Sequence, residues 1–224
     1  MDSRSDKSRN NILDKIRNSL NEHKVPKPFP EVDSIPTPSV FAKQDLSAEE
    51  NFADAFIKLG GKFIFCENEL DFLENIAVLY DDRNWQQLLC AEEHLLELFH
   101  QNKMNVVQTA DQKAEGADAC ITGCELLVGR TGSIIFSSKQ HLGRTSPVFY
   151  PVHIVVAYAG QVVDDLGDGI DAIKGKYNNG LPSMINLNTG PSRTADIEKT
   201  LVVGVHGPGE VLCFYINKPY KNKS

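Results

Sequence analysis

The residues best placed to do chemistry lie in two stretches, Thr122–Ser138 (TGCELLVGRTGSIIFSS) and Gly190–Val211 (GPSRTADIEKTLVVGVHGPGEV). In the first, small and hydroxyl residues interrupt two apolar runs at their junction. Glycine lets backbone amides approach a ligand closely, so Gly129, Thr131, Gly132 and Ser133 can form a polar lip, with Arg130 as a forked anchor for a carboxylate or phosphate. A hairpin turn with a solvated arginine accounts for the same residues, since Gly and Ser are ordinary turn formers. In the second stretch, Gly190-Pro191-Ser192 precedes Thr194–Glu198 as a turn feeding a helix start, where free amides and the positive dipole end favour anions. Ser192, Arg193 and Thr194 would converge on such an anion, and the competing account is a local cap with Arg193 in solvent.

His206, in the loop HGPG, is the candidate proton carrier, while His153, inside the apolar run Pro151–Tyr158, reads more simply as a hydrogen-bonded core residue. No metal is expected. Cys120 and Cys124 lack the two-residue gap and second pair of a zinc ribbon, and Asp164, Asp165, Asp168 and Asp171 lack the alternation of a calcium loop, so they read as a helix entrance. No GxGxxG, Walker lysine or GxSxG elbow occurs, which lowers nucleotide and α/β-hydrolase readings.

The elements that must position these residues follow from periodicity. Asn10–Leu20 carries Ile12, Leu13, Ile16 and Leu20 at helical spacing, and the five prolines between Val25 and Ser39 favour an extended tether. The arm (1–24) and tether (25–46) could reach a neighbouring subunit, giving a homo-oligomer, or fold back on their own domain. Ser47–Glu50 is a capping-box pattern ahead of the stripe Phe52, Ala55, Phe56 and Leu59, with Gly60-Gly61 as the stop. Lys62–Cys66 reads as a strand, Glu69–Val78 and Trp85–Asn102 as helices, and Met104–Gln108 as a strand followed by a short helical stretch toward Ala119. Cys120–Val128 and Gly132–Ser138 read as two strands of a hairpin. Val152–Tyr158 is a strand, Val162–Tyr177 loosely helical, and Met184–Leu187, Leu201–Val205 and Val211–Ile216 are further strands. Strands alternating with helices, several apolar on both faces, predict an α/β fold with an open, largely parallel sheet and helices on both faces.

Composition bounds the rest. The 224 residues hold 41% hydrophobic residues and a net charge of −7, an ordinary globular balance with no electrostatic reason to bind nucleic acid. Five cysteines, an odd number, suggest reduced thiols. With no apolar leader or run of about 18 apolar residues, the expectation is a cytoplasmic protein without a membrane span.

Three pieces of the chain resemble the LUD domain family: Ala117–Glu125 running into Thr131-Gly132-Ser133, then Tyr150–Val156, then Gly190–Glu198 with Gly204–Pro208. The resemblance places the domain at 47–217, leaving a polar tail at 218–224. It implies a Rossmann-like fold of the NagB/RpiA/CoA-transferase type, with the ligand cleft over the strand ends, and a role in oxidising L-lactate to pyruvate beside iron–sulfur partner proteins. No iron–sulfur cluster is expected in this chain, which lacks a cysteine array able to hold one, and its own cofactor is unknown. The expected ligand is a small anionic metabolite, bound by Arg130, Thr131, Gly132, Ser133, Ser192, Arg193 and Thr194. A non-catalytic assembly or regulatory subunit, and an isomerase- or CoA-transferase-like enzyme on another substrate, are the rival functions; fold alone does not choose among them. One position departs from the family pattern: an Ala-Glu pair common before the Thr-Gly-Thr/Ser turn is here Gly129-Arg130, which puts a covalent CoA-ester mechanism in doubt.

Overall fold

The computed structural model describes residues 3–22, 46–110, 116–140, 149–194, 202–204 and 206–220. Two units are present, residues 1–43 and 44–224. In the first, helix α1 (Ser3–Glu22) contains the expected Asn10–Leu20 helix and extends it toward the N-terminus by about two turns. The proline-dense tether to residue 45 and the expected helical stretch at 111–115 lie outside the described residues.

The second unit begins with α2 (Ala48–Lys58), whose start is the expected capping box: Ser47 N donates to Glu50 Oε2 at 2.9 Å and Glu50 N donates to Ser47 Oγ at 3.3 Å. Gly60 ends it at φ +86°, a left-handed conformation that glycine adopts without steric cost. In chain order the strands are β1 (Lys62–Cys66), β2 (Leu88–Cys90), β3 (Val107–Thr109), β4 (Ala119–Gly123), β5 (Leu126–Val128), β6 (Ser133–Ser137), β7 (Val152–Ala159), β8 (Val162–Val163), β9 (Ile185–Asn188), β10 (Arg193–Thr194), β11 (Val202–Val203) and β12 (Glu210–Pro219). Six of them form one sheet in the order β1-β12-β7-β4-β2-β3, with every neighbouring pair parallel. A second sheet has the order β8-β5-β6-β9, and β10 pairs with β11.

The parallel strands are apolar on both faces because both faces are covered. On one side α3 (Glu69–Asp82) and α4 (Glu93–Gln101) pack Phe72, Ile76, Leu95 and Phe99 onto Ile121, Ile154, Val156 and Phe214. On the other, Phe52 and Phe56 of α2 join Leu127, Ile134 and Phe136 of the four-stranded sheet against Val155, Ala157 and Cys213. Phe52 and Phe56 are fully buried, each stabilising the fold by about 1.5–3 kcal/mol. A further helix, α5 (Leu166–Lys176), covers the outer side of the smaller sheet through Ile173 against Val128 and Ile135. Helices therefore lie on both faces as expected, with a small sheet inserted on one of them. Among the described residues no helix is long and apolar enough to cross a membrane.

Four segments differ from their sequence reading. Val162–Tyr177, expected as loosely helical, opens with β8, which pairs with β5 before α5 begins at Leu166. Trp85–Asn102, expected as one helix, opens with β2, whose Leu88, Leu89 and Cys90 are all buried between β4 and β3; a short doubly buried strand cannot be told from helix by periodicity. Cys120–Val128, expected as one strand, divides at Cys124-Glu125 into β4 of the large sheet and β5 of the small one, and only β5 pairs with β6 as a hairpin. Arg193-Thr194, expected at the entrance of a helix, forms an antiparallel pair with Val202-Val203; residues 195–201 lie outside the described residues.

Candidate functional site

The end of α2 is where the two glycine- and hydroxyl-rich stretches meet. Gly132 lies at φ +61°, and a Cβ there would stand 2.5 Å from Phe56 N and 2.7 Å from the Ala55 carbonyl carbon, so only glycine lets this turn rest on the α2 backbone. The next residue, Ser133, is buried, with its Oγ 2.9 Å from Thr189 Oγ1. Gly190 follows at φ +80°, and a Cβ there would meet the Leu59 carbonyl at 3.1 Å. Arg193 Nη2 donates to that same Leu59 carbonyl, serving the cationic role a helix C-terminus favours. A guanidinium has five donors, so this contact does not exhaust it, and Arg193 is exposed. Ser192 N donates to Pro208 O at 2.9 Å, and Gly204 N to Ser192 O at 3.0 Å, which ties the Ser192 turn to the loop carrying exposed His206.

The expected ligand residues therefore divide. Gly132, Ser133, Ser192 and Arg193 gather around the end of α2, with Thr194 in β10 beside them. Thr131 adjoins them, and its Oγ1 is buried without a hydrogen-bond partner among the described residues, as is Asn188 Oδ1 on the neighbouring strand. Arg130 is elsewhere engaged. Its Nε and Nη2 donate to Asp165 Oδ2 and Oδ1 at 2.9 and 2.6 Å, and Asp165 is the N-cap of α5. The adjacent Gly129 faces Ala48 at the opposite end of α2 from Leu59, a helix about 16 Å long. The two arginines do not share one cleft in this arrangement.

Ser192 and Arg193 also lie at the amino ends of the parallel strands, not over their carboxyl ends. Gly209 N donates to Pro151 O at 2.9 Å just before β12 and β7 begin. At the same end Glu210 binds both Arg83 guanidinium nitrogens at 2.8 and 2.9 Å and also pairs with Lys62. Arg83 first, and Lys62 with it, hold the Glu210 carboxyl down at about 2.

Sequence reasoning passed over one buried polar cluster. Glu125, at the break between β4 and β5, accepts from Ser137 Oγ at 2.5 Å, Tyr177 Oη at 2.8 Å and Lys176 Nζ at 2.7 Å. Burial alone would raise its carboxyl, but these three donors outweigh it and hold it below the usual carboxylate range. The available signal was a lone carboxylate inside an otherwise apolar run. His153 matches its core reading: Nε2 is 2.8 Å from Thr122 Oγ1, the residue is fully buried, and burial pushes the imidazole down to about 3. All five cysteines are buried and none forms a disulfide, and among the described residues no three His, Cys, Asp or Glu side chains converge as metal ligands.

A parallel six-stranded sheet with helices on both faces defines an α/β protein of Rossmann-like class. A solved structure supports that class: a DUF162 family protein from Deinococcus radiodurans aligns with a TM-score of 0.55 at 20% identity, over 77% of this chain and 99% of that one. The chain belongs to the LUD domain family, whose model matches residues 7–216. Among curated relatives, lactate utilization protein C of Bacillus subtilis (strain 168) is 37% identical over 99 residues, covering 43% of this chain and 41% of that protein. Lactate utilization protein C of Deinococcus radiodurans is 37% identical over 93 residues, covering 41% and 43%. The chain thus spans less than half the length of the curated relatives it matches.

Proposed function

We propose that this chain supports oxidation of L-lactate to pyruvate beside iron–sulfur partner proteins, holding a small anionic metabolite against Ser192, Arg193 and Thr194. Thr131, Gly132 and Ser133 would complete that site from the turn that rests on Ala55 and Phe56 of α2. The observation that carries this reading is the meeting of the two stretches: Ser133 reaches Thr189 while Arg193 reaches Leu59. The names of the relatives support a role in lactate utilization. Oxidation of a 2-hydroxy acid releases two protons and two electrons; His206 is the proton carrier here, and the electrons pass to the partners, since the buried thiols of this chain do not suit a cluster. Arg130 fixes Asp165 and the start of α5, and would hold an anion only if that pair opened.

The same contacts favour one second reading. Both arginines already have structural partners, Arg130 in Asp165 and Arg193 in Leu59, which suits a non-catalytic subunit that assembles a lactate oxidase. Calorimetric titration with L-lactate, pyruvate and a sugar phosphate separates the two. Arg193→Ala is expected to weaken the anion that binds by about tenfold or more, the worth of a charge-assisted hydrogen bond, and Arg193→Lys to restore part of it. Equal affinity in wild type and Arg193→Ala would remove the anion site and leave the subunit reading.

A further inference from the structure

Helix α1 carries an aliphatic stripe on an otherwise polar surface. Ile12, Ile16 and Leu20 stand 58, 49 and 65% exposed, one above the other at four-residue intervals along the helix. An amphipathic helix draws most of its stability from packing such a face. The stripe is edged with positive charge. Lys15 and Arg17 flank Ile16, each about 100° from it around the helix, and Arg9 stands one turn ahead of Ile12 and Leu13. Arg17 shares its charge with Asp14 at 3.0 Å. With Lys7, residues 7–22 hold four basic side chains against Asp14 and Glu22.

The larger unit presents the complement. The inner face of α3 buries Phe72, Leu73 and Ile76, while its outer face shows Leu70 and Val78 at 61 and 60% exposed, with exposed Glu74 between them. Leu70, Glu74 and Val78 repeat the four-residue spacing of Ile12, Ile16 and Leu20. Two ridges of that spacing interdigitate in the commonest class of helix packing. The charges match as well as the shape: α3 holds five carboxylates and no basic residue, and Asp81 and Asp82 are exposed beside Val78. A basic-edged aliphatic ridge and an acidic ridge with two exposed aliphatic side chains thus occur on one chain.

We infer that α1 of one copy docks on α3 of a second copy, and α1 of the second on α3 of the first. Each copy gives one basic helix and receives one on its acidic helix, the self-complementary exchange that closes a two-fold dimer. The 23 residues between Glu22 and Leu46 span up to about 80 Å when extended, enough to cross to another molecule. The exchange uses no residue of the proposed anion site and stands apart from that reading.

Sedimentation equilibrium of the full chain at about 0.15 M salt tests this. A concentration-dependent dimer is expected, and Ile16→Asp is expected to be monomeric where wild type dimerises. Lys15→Glu/Arg17→Glu is expected to raise the dimer Kd about tenfold or more, because it sets like charges against each other. Glu74→Lys/Asp81→Lys is expected to do the same. All five positions are exposed, and combining the four charge reversals is expected to return the Kd to within about threefold of wild type, a recovery that misfolded variants would not show. A monomer at every concentration would overturn the proposal, leaving the stripe to its own chain or to a lipid surface. A dimer indifferent to Glu74→Lys/Asp81→Lys, as pairing of α1 with α1 would give, or no recovery in the combined variant, would overturn it equally.

Discussion

Gly132→Ala is expected to destabilise the fold by about 4 kcal/mol, the sum of a methyl forced into the left-handed region and an overlap that cannot relax. The overlap is with backbone: the new Cβ would stand 2.5 Å from Phe56 N and 2.7 Å from the Ala55 carbonyl carbon, and neither can swing aside as a flexible side chain would. For a domain of this size the loss corresponds to a fall of about 10 °C in Tm, readable by differential scanning calorimetry. Gly160→Ala supplies the control, because Gly160 has φ +90° but nothing within 4 Å of the added methyl; its cost is the conformational one alone, about 1 kcal/mol. Equal stability of the two variants would mean that the Thr131–Ser133 turn does not rest on α2. If it does rest there, lifting it also separates Ser133 from Thr189 and opens the proposed anion site.

The second large effect is on the acid side of neutrality. Burial depresses the His153 imidazole from 6.5 to about 3. Above pH 6.5 both folded and unfolded chains carry it neutral, and it contributes nothing to pH dependence. As pH falls below that value the unfolded chain takes up a proton that the folded chain refuses, so stability drops by about 1.4 kcal/mol per pH unit toward pH 3. His94, depressed to about 4 by burial, acts with the same sign in an overlapping window. Urea unfolding between about pH 6.5 and 4.5 should therefore show wild type losing close to two protons' worth of slope. His153→Gln, which keeps a polar atom within reach of Thr122, should lose about one, a difference of about 2 kcal/mol across that interval. An unchanged slope would place a proton on His153 in the folded protein.

The parts of the fold legible in the sequence were those fixed by local chemistry. Ser47 and Glu50 announce the start of α2 because a capping box needs only residues three apart, and Gly60 marks its end because a left-handed residue is required there. Asp165, read as part of a helix entrance, caps α5. Non-local pairings were not legible. Nothing in Leu88-Leu89-Cys90 distinguishes a strand buried on both faces from a helical turn, and nothing in Cys120–Val128 shows that the chain changes sheets at Glu125 until Ser137, Lys176 and Tyr177 are seen around it. At the candidate site the residue types were readable and their partners were not. Arg130 and Arg193 look alike in sequence, yet one is held by Asp165 beside α5 and the other by the last turn of α2.

The central claim, that this chain supports lactate oxidation through an anion held at Arg193, is tested most directly by following pyruvate formation from L-lactate in purified iron–sulfur partner proteins, with and without this chain. The account predicts that adding the chain raises the rate about tenfold or more and that Arg193→Ala, added at the same folded concentration, loses most of that gain. Full oxidation by the partners alone, or equal stimulation by Arg193→Ala, would contradict it.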